Sequence, residues 1–348
     1  MRVGIVGFRG TGKTTIFNAL TGLHAQVGGF GGGTRPNLGV IKVPDARVDA
    51  LAAIHHPRKT SYAEVAFVDV PGVGEVRSAL DPATLVQMRD VDALVQVVAA
   101  FPDATGQVPS AVAQLENFAA ELILADLGIV EKRLERLQKE RGKEREQALL
   151  ERCRTHLGTA RPLRALDLAA DEVGALAGFN LLSRMPLLVL LNVEEAAIGR
   201  PVPPDVAAWA AAHGGLEVVA VPGKTEMELA ELDEGDRAAF LTELGITEAA
   251  KDRFIRAAYA LLDLISFLTA GEDECRAWPI RRGTPAVKAA GKIHSDIERG
   301  FIRAEVVAFE DFVRLRSEAK CREAGKLRLE GKDYVVADGD IIHFRFNV

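Results

Sequence analysis

The sequence is short of cysteine, of long apolar runs and of excess positive charge, and each shortage removes a class of function. Only Cys153, Cys275 and Cys321 occur in 348 residues. They lie far apart and form no CxxC spacing, so neither a zinc site nor a disulfide framework is expected, and the thiols read as reduced. No apolar run reaches the roughly 20 residues of a bilayer-spanning helix, so no membrane association is expected. The chain opens directly on a strand pattern rather than on a leader, so no signal peptide is expected and a cytoplasmic location is. With 43 Lys and Arg against 49 Asp and Glu, the net charge is −6, and the chain as a whole is no polycation seeking nucleic acid. His294 and His343 have no metal-ligand spacing around them and read as structural. What remains is ordinary globular composition, 48% hydrophobic and 26% charged, in a chain long enough for two or three cored domains.

Short apolar runs at Arg2–Val6, Leu38–Val43, Val65–Val68, Ala93–Val98, Leu187–Leu191 and Val218–Val221 alternate with helical patterns. That rhythm predicts an α/β sheet covered on both faces. Residues 109–180 interrupt it. Leu115, Phe118, Leu122, Ala125 and Ile129 recur at helical spacing, a charge-rich stretch spans Glu131–Glu146 with Gly142 as its turn, and Leu150, Cys153 and Leu157 form a second stripe. This predicts an inserted helical hairpin, an antiparallel coiled coil, whose charges form either a solvated face or a binding patch. After a helical Lys251–Leu262, glycine-punctuated short strands ending in Ile341–Phe346 predict a small α+β domain over 265–348. Residues 1–264, less the insert, form the first domain.

Gly7-Phe8-Arg9-Gly10-Thr11-Gly12-Lys13-Thr14 matches GxxxxGK[ST], after a buried-strand pattern and before a helical one. The glycines permit a tight turn that surrounds phosphates with backbone N–H groups. Lys13 reaches the β- and γ-phosphates, the Thr14 hydroxyl ligates Mg²⁺, and the following helix adds a favourable field. Val65–Val68 runs into Asp69-Val70-Pro71-Gly72. There Asp69 would hold a metal-bound water and the Gly72 N–H would sense the γ-phosphate. Gly28–Thr34 reads either as a plain linker or as a switch loop whose mobile Mg²⁺ ligand is Thr34. Leu187–Leu191 ends at Asn192-Val193-Glu194-Glu195, where guanine readers carry NKxD. Glu195 is one methylene too long for that contact, and Val193 is an apolar wall for a base. Pro222-Gly223-Lys224 is a second base-side loop.

The chain resembles the YchF/Obg-like ATPases along nearly its whole length. The resemblance is carried by Glu121–Leu134, Arg276–Ile302 and Gly325–Val348 more than by the P-loop. It implies a Ras-like P-loop NTPase domain with a helical coiled-coil insert and a C-terminal TGS-like, ubiquitin-like (β-grasp) α+β domain. It also implies cytosolic ATPases associated with ribosomes. On that basis Gly10 to Thr15 bind phosphate, Thr14 and Thr34 ligate Mg²⁺, and Asn192, Val193 and Glu195 match an NxxE pattern that goes with ATP over GTP. Val73 stands where related switches carry a water-orienting glutamine.

The departures cluster at the same place. Gly10-Thr11 replaces the family's Asn-Val, so the resemblance does not carry K⁺ dependence over. Residues 73–78 replace a glycine-rich second switch, and Gln107 falls roughly where the family often has a histidine. These features predict either a slow Mg²⁺-dependent ATPase acting as a ribosome-associated switch, or a nucleotide-dependent binding module with negligible hydrolysis, or a GTP-preferring paralogue. Residues 276–303 hold seven Lys and Arg against two Asp and Glu beside Trp278 and Phe301. That stretch reads either as a contact for RNA or an acidic partner, or as a solvated sheet face with core aromatics.

Overall fold

The computed structural model describes residues 1–23, 37–71, 80–103, 105–243 and 249–347. Thr34, Gly72 and Val73 therefore lie outside the described residues. In chain order the strands are β1 (Arg2–Val6), β2 (Asn37–Lys42), β3 (Lys59–Ser61), β4 (Glu64–Asp69), β5 (Ala93–Ala100), β6 (Leu187–Val193), β7 (Val218–Val221), β8 (Leu264–Thr269), β9 (Glu274–Arg281), β10 (Phe301–Ala308), β11 (Arg328–Glu330) and β12 (Asp340–Phe346). The chain divides into two units, one of residues 1–41 with 66–258 and one of residues 42–65 with 259–348.

The first unit holds a six-stranded sheet ordered β2-β4-β1-β5-β6-β7, with β1 parallel to β4 and β5, and β6 parallel to β5 and β7. Its central strands are buried on both faces, β6 along its whole length, which is why they read as unbroken apolar runs rather than alternating ones. Leaving β1, the chain builds one side of the sheet through β4 and then crosses to β5. The crevice beyond the carboxyl ends of the strands lies at that reversal.

The insert between β5 and β6 opens with the 27-residue helix Ala111–Leu137, capped by the Ser110 hydroxyl, which accepts from the Ala113 N–H at 3.2 Å. Gly142, with φ +75°, turns the chain into the antiparallel helix Glu144–Gly158. Val130, Leu134, Leu137, Leu150, Cys153 and Leu157 form the seam between the two. Near the tip Arg133 bridges Glu140 and Glu146. At the base, buried Asp126 accepts from the Leu182 and Ser183 N–H groups at 2.8 and 2.7 Å, which ties the hairpin to the returning chain.

The second unit holds a sheet ordered β11-β10-β12-β8-β9-β3. Counted from β8 to β12, the five main strands follow the order 2-1-5-3-4. The terminal pair β8 and β12 is parallel, and β8·β9 and β10·β12 are antiparallel, which is the β-grasp arrangement. The helix Ala286–Ile293 crosses one face. Its buried Ala286, Ala289 and Ala290 bring it close to Phe267, Ile280, Val306 and Phe344. Phe301 is buried against Phe344 and belongs to the core, whereas Trp278 is half-buried, stacked on Phe267 with ring centroids 6.2 Å apart and with the Arg276 guanidinium 3.9 Å from its ring centroid.

One stretch falls elsewhere than the sequence suggests. Residues 42–65, expected within the first domain, belong to the second unit, because β3 pairs in parallel with β9 from Lys59↔Glu274 to Ser61↔Arg276. A three-residue polar strand has no periodicity to read, and its partner lies more than 200 residues downstream. Among the described residues, no helix is long and apolar enough to cross a membrane.

Candidate functional site

Where β1 ends, three glycines with positive φ follow in six residues: Gly7 at +146°, Gly10 at +79° and Gly12 at +84°. A Cβ on Gly7 would lie 2.5 Å from the Val97 carbonyl oxygen, and one on Gly12 would lie 2.3 Å from Asn192 Nδ2. Neither position admits a side chain, so the turn requires glycine sterically as well as conformationally. Phe8 anchors the base of the loop. It is 1% exposed and meets Phe118 edge-on, while its carbonyl accepts from the Thr11 hydroxyl at 3.0 Å. The loop runs into the helix Lys13–Thr21, which has no side-chain cap and no acid in its first turn. The positive end of that helix is therefore left open to an anion. Thr15, its third residue, is half-buried.

Two charged groups face each other in this cradle without the partners that burial normally demands. Lys13 is 7% exposed, and its ammonium donates to the Phe8 carbonyl at 2.9 Å. Burial pulls its pKa down to about 8, against the attraction of Asp69. Asp69 ends β4 and is 6% exposed. Its Oδ2 accepts from the Thr14 hydroxyl at 3.3 Å and from the Asn37 amide at 3.4 Å, while its Oδ1 is buried with no hydrogen-bond partner. Burial raises the Asp69 pKa, and the Asn37 bond, Lys13 and the Thr14 bond oppose the rise. Because the Thr14 proton points at Asp69, the lone pairs of that hydroxyl remain for another acceptor of electrons.

That donor set suits Mg²⁺, which is typically held by one or two carboxylates together with substrate phosphates and several waters. Among the described residues no group of three or more His, Cys, Asp or Glu is placed to hold a metal unaided.

On the base side, Asn192 joins two loops. Its Nδ2 donates to the Thr11 carbonyl at 3.0 Å and its Oδ1 accepts from the Gly223 N–H at 3.1 Å. A Cβ on Gly223 would meet Ile16 Cδ1 at 2.6 Å, so this loop too approaches at glycine distance. The sequence pattern assigns Asn192 to the nucleotide and does not reveal this pinning role. Val193 is packed among Val98, Val206 and Trp209, on the strand face opposite Asn192. Glu195 is exposed at the start of a short 3₁₀ turn. Lys224 is 86% exposed and lies 3.9 Å from Glu228. Gln107 is exposed in the loop leaving β5, which Asp103 organises by accepting from the Thr105 and Gln107 N–H groups at 2.8 and 3.1 Å. The structure thus brings Gly7 to Thr14, Asp69, Asn192 and Gly223 together, and adds Asn37, whose amide reaches Asp69 from 32 residues away and leaves no local motif.

Comparison with known proteins agrees with this geometry. Residues 2–150 match the MMR_HSR1 family model, described as a 50S ribosome-binding GTPase, and residues 264–347 match the YchF-GTPase_C model, described as a protein of unknown function. The chain is 40% identical over 361 residues to the "Ribosome-binding ATPase YchF" of Pasteurella multocida, covering 100% of this chain and 99% of that one. It is likewise 40% identical over 365 residues to the Bacillus subtilis protein of the same name, covering 100% of both. The solved structure of the Schizosaccharomyces pombe YchF GTPase superposes with a TM-score of 0.89 at 31% identity, covering 99% of this chain and 97% of that one. A P-loop nucleotide site on a Ras-like sheet, a helical insert, a C-terminal β-grasp unit and full-length identity of this order together show that the chain belongs to the YchF family of P-loop nucleotide hydrolases.

Proposed function

We propose that this protein binds Mg²⁺ and ATP, hydrolyses the nucleotide slowly, and acts in the cytoplasm as a ribosome-associated switch. The observation that carries the nucleotide part is the pair of buried, incompletely partnered charges, Lys13 and Asp69, at the uncapped start of the helix Lys13–Thr21. A triphosphate would give the Lys13 ammonium its counter-charge, and the first turn of the helix would donate to phosphate oxygens. Thr14, Thr34 and a water held by Asp69 would ligate Mg²⁺. When bound, the cation would neutralise β- and γ-phosphate oxygens as charge shifts during transfer. Gly72 is the proposed γ-phosphate sensor.

Slow turnover follows from the side chains available to orient water. Val73 offers no hydrogen bond. Gln107, exposed on the loop after β5, is the polar group proposed in its place. Ala substitution at Gln107 should then lower kcat with affinity kept.

Preference for ATP rests on Glu195. Its extra methylene displaces the carboxylate from the place where an aspartate would accept both guanine N–H groups. Val193 lies in the core, so a lysine there would bury an ammonium, and Glu195→Asp alone is the informative change. The ribosome enters through the relatives, which carry the name "Ribosome-binding ATPase". The exposed Lys132, Arg136, Lys139, Arg141 and Arg145 at the hairpin tip, together with the C-terminal unit, are the proposed contacts.

Competition of ATP and GTP against a fluorescent nucleotide tests the base assignment. Wild type should favour ATP, and Glu195→Asp should shift the preference toward GTP. A wild type favouring GTP overturns it. Single-turnover hydrolysis with and without ribosomes separates the switch from a binding module without hydrolysis. Stimulation by ribosomes supports the switch, and no turnover in either condition supports the module.

A further inference from the structure

We infer that Asn37 is a positioning residue for the Asp69 carboxylate, the group proposed to hold a Mg²⁺-bound water; this rests on the Mg²⁺ reading above. Asn37 is the first residue of β2, and β2 neighbours β4 in the sheet. Its Nδ2 donates to Asp69 Oδ2 at 3.4 Å, the same oxygen that accepts from the Thr14 hydroxyl at 3.3 Å. Two donors on one oxygen fix the rotation of the carboxylate about its Cβ–Cγ bond. Oδ1 is the oxygen left over, buried and without a hydrogen-bond partner.

The division of labour follows from the chemistry of the donors. Through its amide N–H Asn37 meets Asp69 as a neutral donor, so it orients the carboxylate without adding a charge that would compete with a cation. The Thr14 hydroxyl has one proton, and spending it on Oδ2 keeps its lone pairs free. With Asn37 gone, Oδ2 would keep one donor, and the carboxylate could rotate to share that donor or exchange its oxygens. Groups that orient a ligand in this way typically account for 10–100-fold in metal affinity when removed. Asn37 also ties the site to the strand that follows residues 24–36, where the proposed ligand Thr34 sits in sequence. The orientation of Asp69 and the entry to β2 are thus coupled by one hydrogen bond.

The test is Mn²⁺ binding, as a Mg²⁺ surrogate, to the full-length chain saturated with a non-hydrolysable ATP analogue, with free Mn²⁺ counted from its electron paramagnetic resonance signal. Asn37→Ala and the near-isosteric Asn37→Leu should both weaken Mn²⁺ by about tenfold or more. Affinity for the analogue in EDTA should stay within twofold of wild type. Asn37 is exposed, so both variants should fold, and unchanged thermal melting of the metal-free proteins checks this. Asn37→Ser, which keeps a donor on a shorter arm, should recover part of the loss, whereas a purely structural role would not discriminate serine from leucine. Wild-type Mn²⁺ affinity in both Asn37→Ala and Asn37→Leu would overturn the inference alone. A wild-type complex that binds Mn²⁺ no better than the free analogue does would overturn the Mg²⁺ reading with it.

Discussion

Two pairs of buried charges, one pair in each unit, are treated in opposite ways. In the β-grasp unit, Asp340 is 3% exposed, and its carboxylate accepts from the Tyr334 hydroxyl at 2.7 Å and the Ala337 N–H at 2.9 Å, with Arg328 at 3.5 Å. Glu305, 6% exposed, is paired with Arg345 and, at 3.5 Å, with Arg322. In the parallel-sheet unit, Lys13 and Asp69 are buried to a similar degree, yet the lysine meets only a carbonyl and one carboxylate oxygen meets nothing. Burying an ionised group is costly unless it is paired and hydrogen-bonded. Arg164 also keeps two buried nitrogens without partners, so what sets Lys13 and Asp69 apart is that their shortfall coincides with an uncapped helix start, the proposed place for a ligand. One glycine from each unit gives a matching contrast. Gly12 has positive φ and no room for a Cβ, whereas Gly325 of the β-grasp unit has φ +66° and open space around it.

The largest expected effect lies at Gly12. Gly12→Ala adds backbone strain and a clash with the Asn192 amide that pins two loops, together roughly 3 kcal/mol, or a loss on the order of hundredfold in triphosphate affinity. Gly325→Ala carries only the strain, about 1–2 kcal/mol of stability, with affinity unchanged. Calorimetric affinities and denaturant unfolding of both variants check the pair, and equal affinity loss in the two would break the contrast.

A smaller effect is expected at Asp340. Asp340→Ala removes the acceptor of the Tyr334 hydroxyl and of the Ala337 N–H, and should cost roughly 1–2 kcal/mol of stability in urea unfolding. Arg328 is 46% exposed and can turn to water, so the ion pair adds little. Nucleotide affinity should not move. A change in affinity would mean that the paired charges of this unit also serve the ligand.

How far the sequence reaches follows from the range of each signal. The P-loop is legible because its glycines, Lys13 and Thr14 are fixed within eight residues and framed by a strand and a helix. Asp69 stands out only in the company of the P-loop, because DxPG by itself is also a common strand-to-turn sequence. The hairpin is legible from its stripes and Gly142. By contrast, the contacts of Asn37 span 32 residues, those of Asn192 181 and 31, and the pairing of β3 more than 200, and no local pattern reveals these contacts, even where, as at Asn192, it marks the residue. Trp278 and Phe301 show a further limit. Core aromatics and base-stacking aromatics have the same composition, and only the packing separates buried Phe301, against Phe344, from half-buried Trp278.

The central claim, that nucleotide completes the unpaired charges, is tested most directly through the proton on Lys13. Burial holds the Lys13 pKa near 8 in the free protein, below its ordinary 10.5. Phosphate oxygens beside the ammonium would raise it, so binding above pH 8 must take up a proton, and affinity must fall as pH rises between the free and bound pKa values. The triphosphate itself is already fully ionised there. Calorimetric titration of the Mg²⁺ complex of a non-hydrolysable ATP analogue, at pH 8.5–9.5 in two buffers of different ionisation enthalpy, reads both quantities. The account predicts uptake approaching one proton per nucleotide and a dissociation constant rising by up to about tenfold per pH unit. In Lys13→Met the uptake and the pH dependence should vanish, and binding should be at least about tenfold weaker at neutral pH. Wild-type binding that takes up no proton and holds its affinity across this range would contradict it.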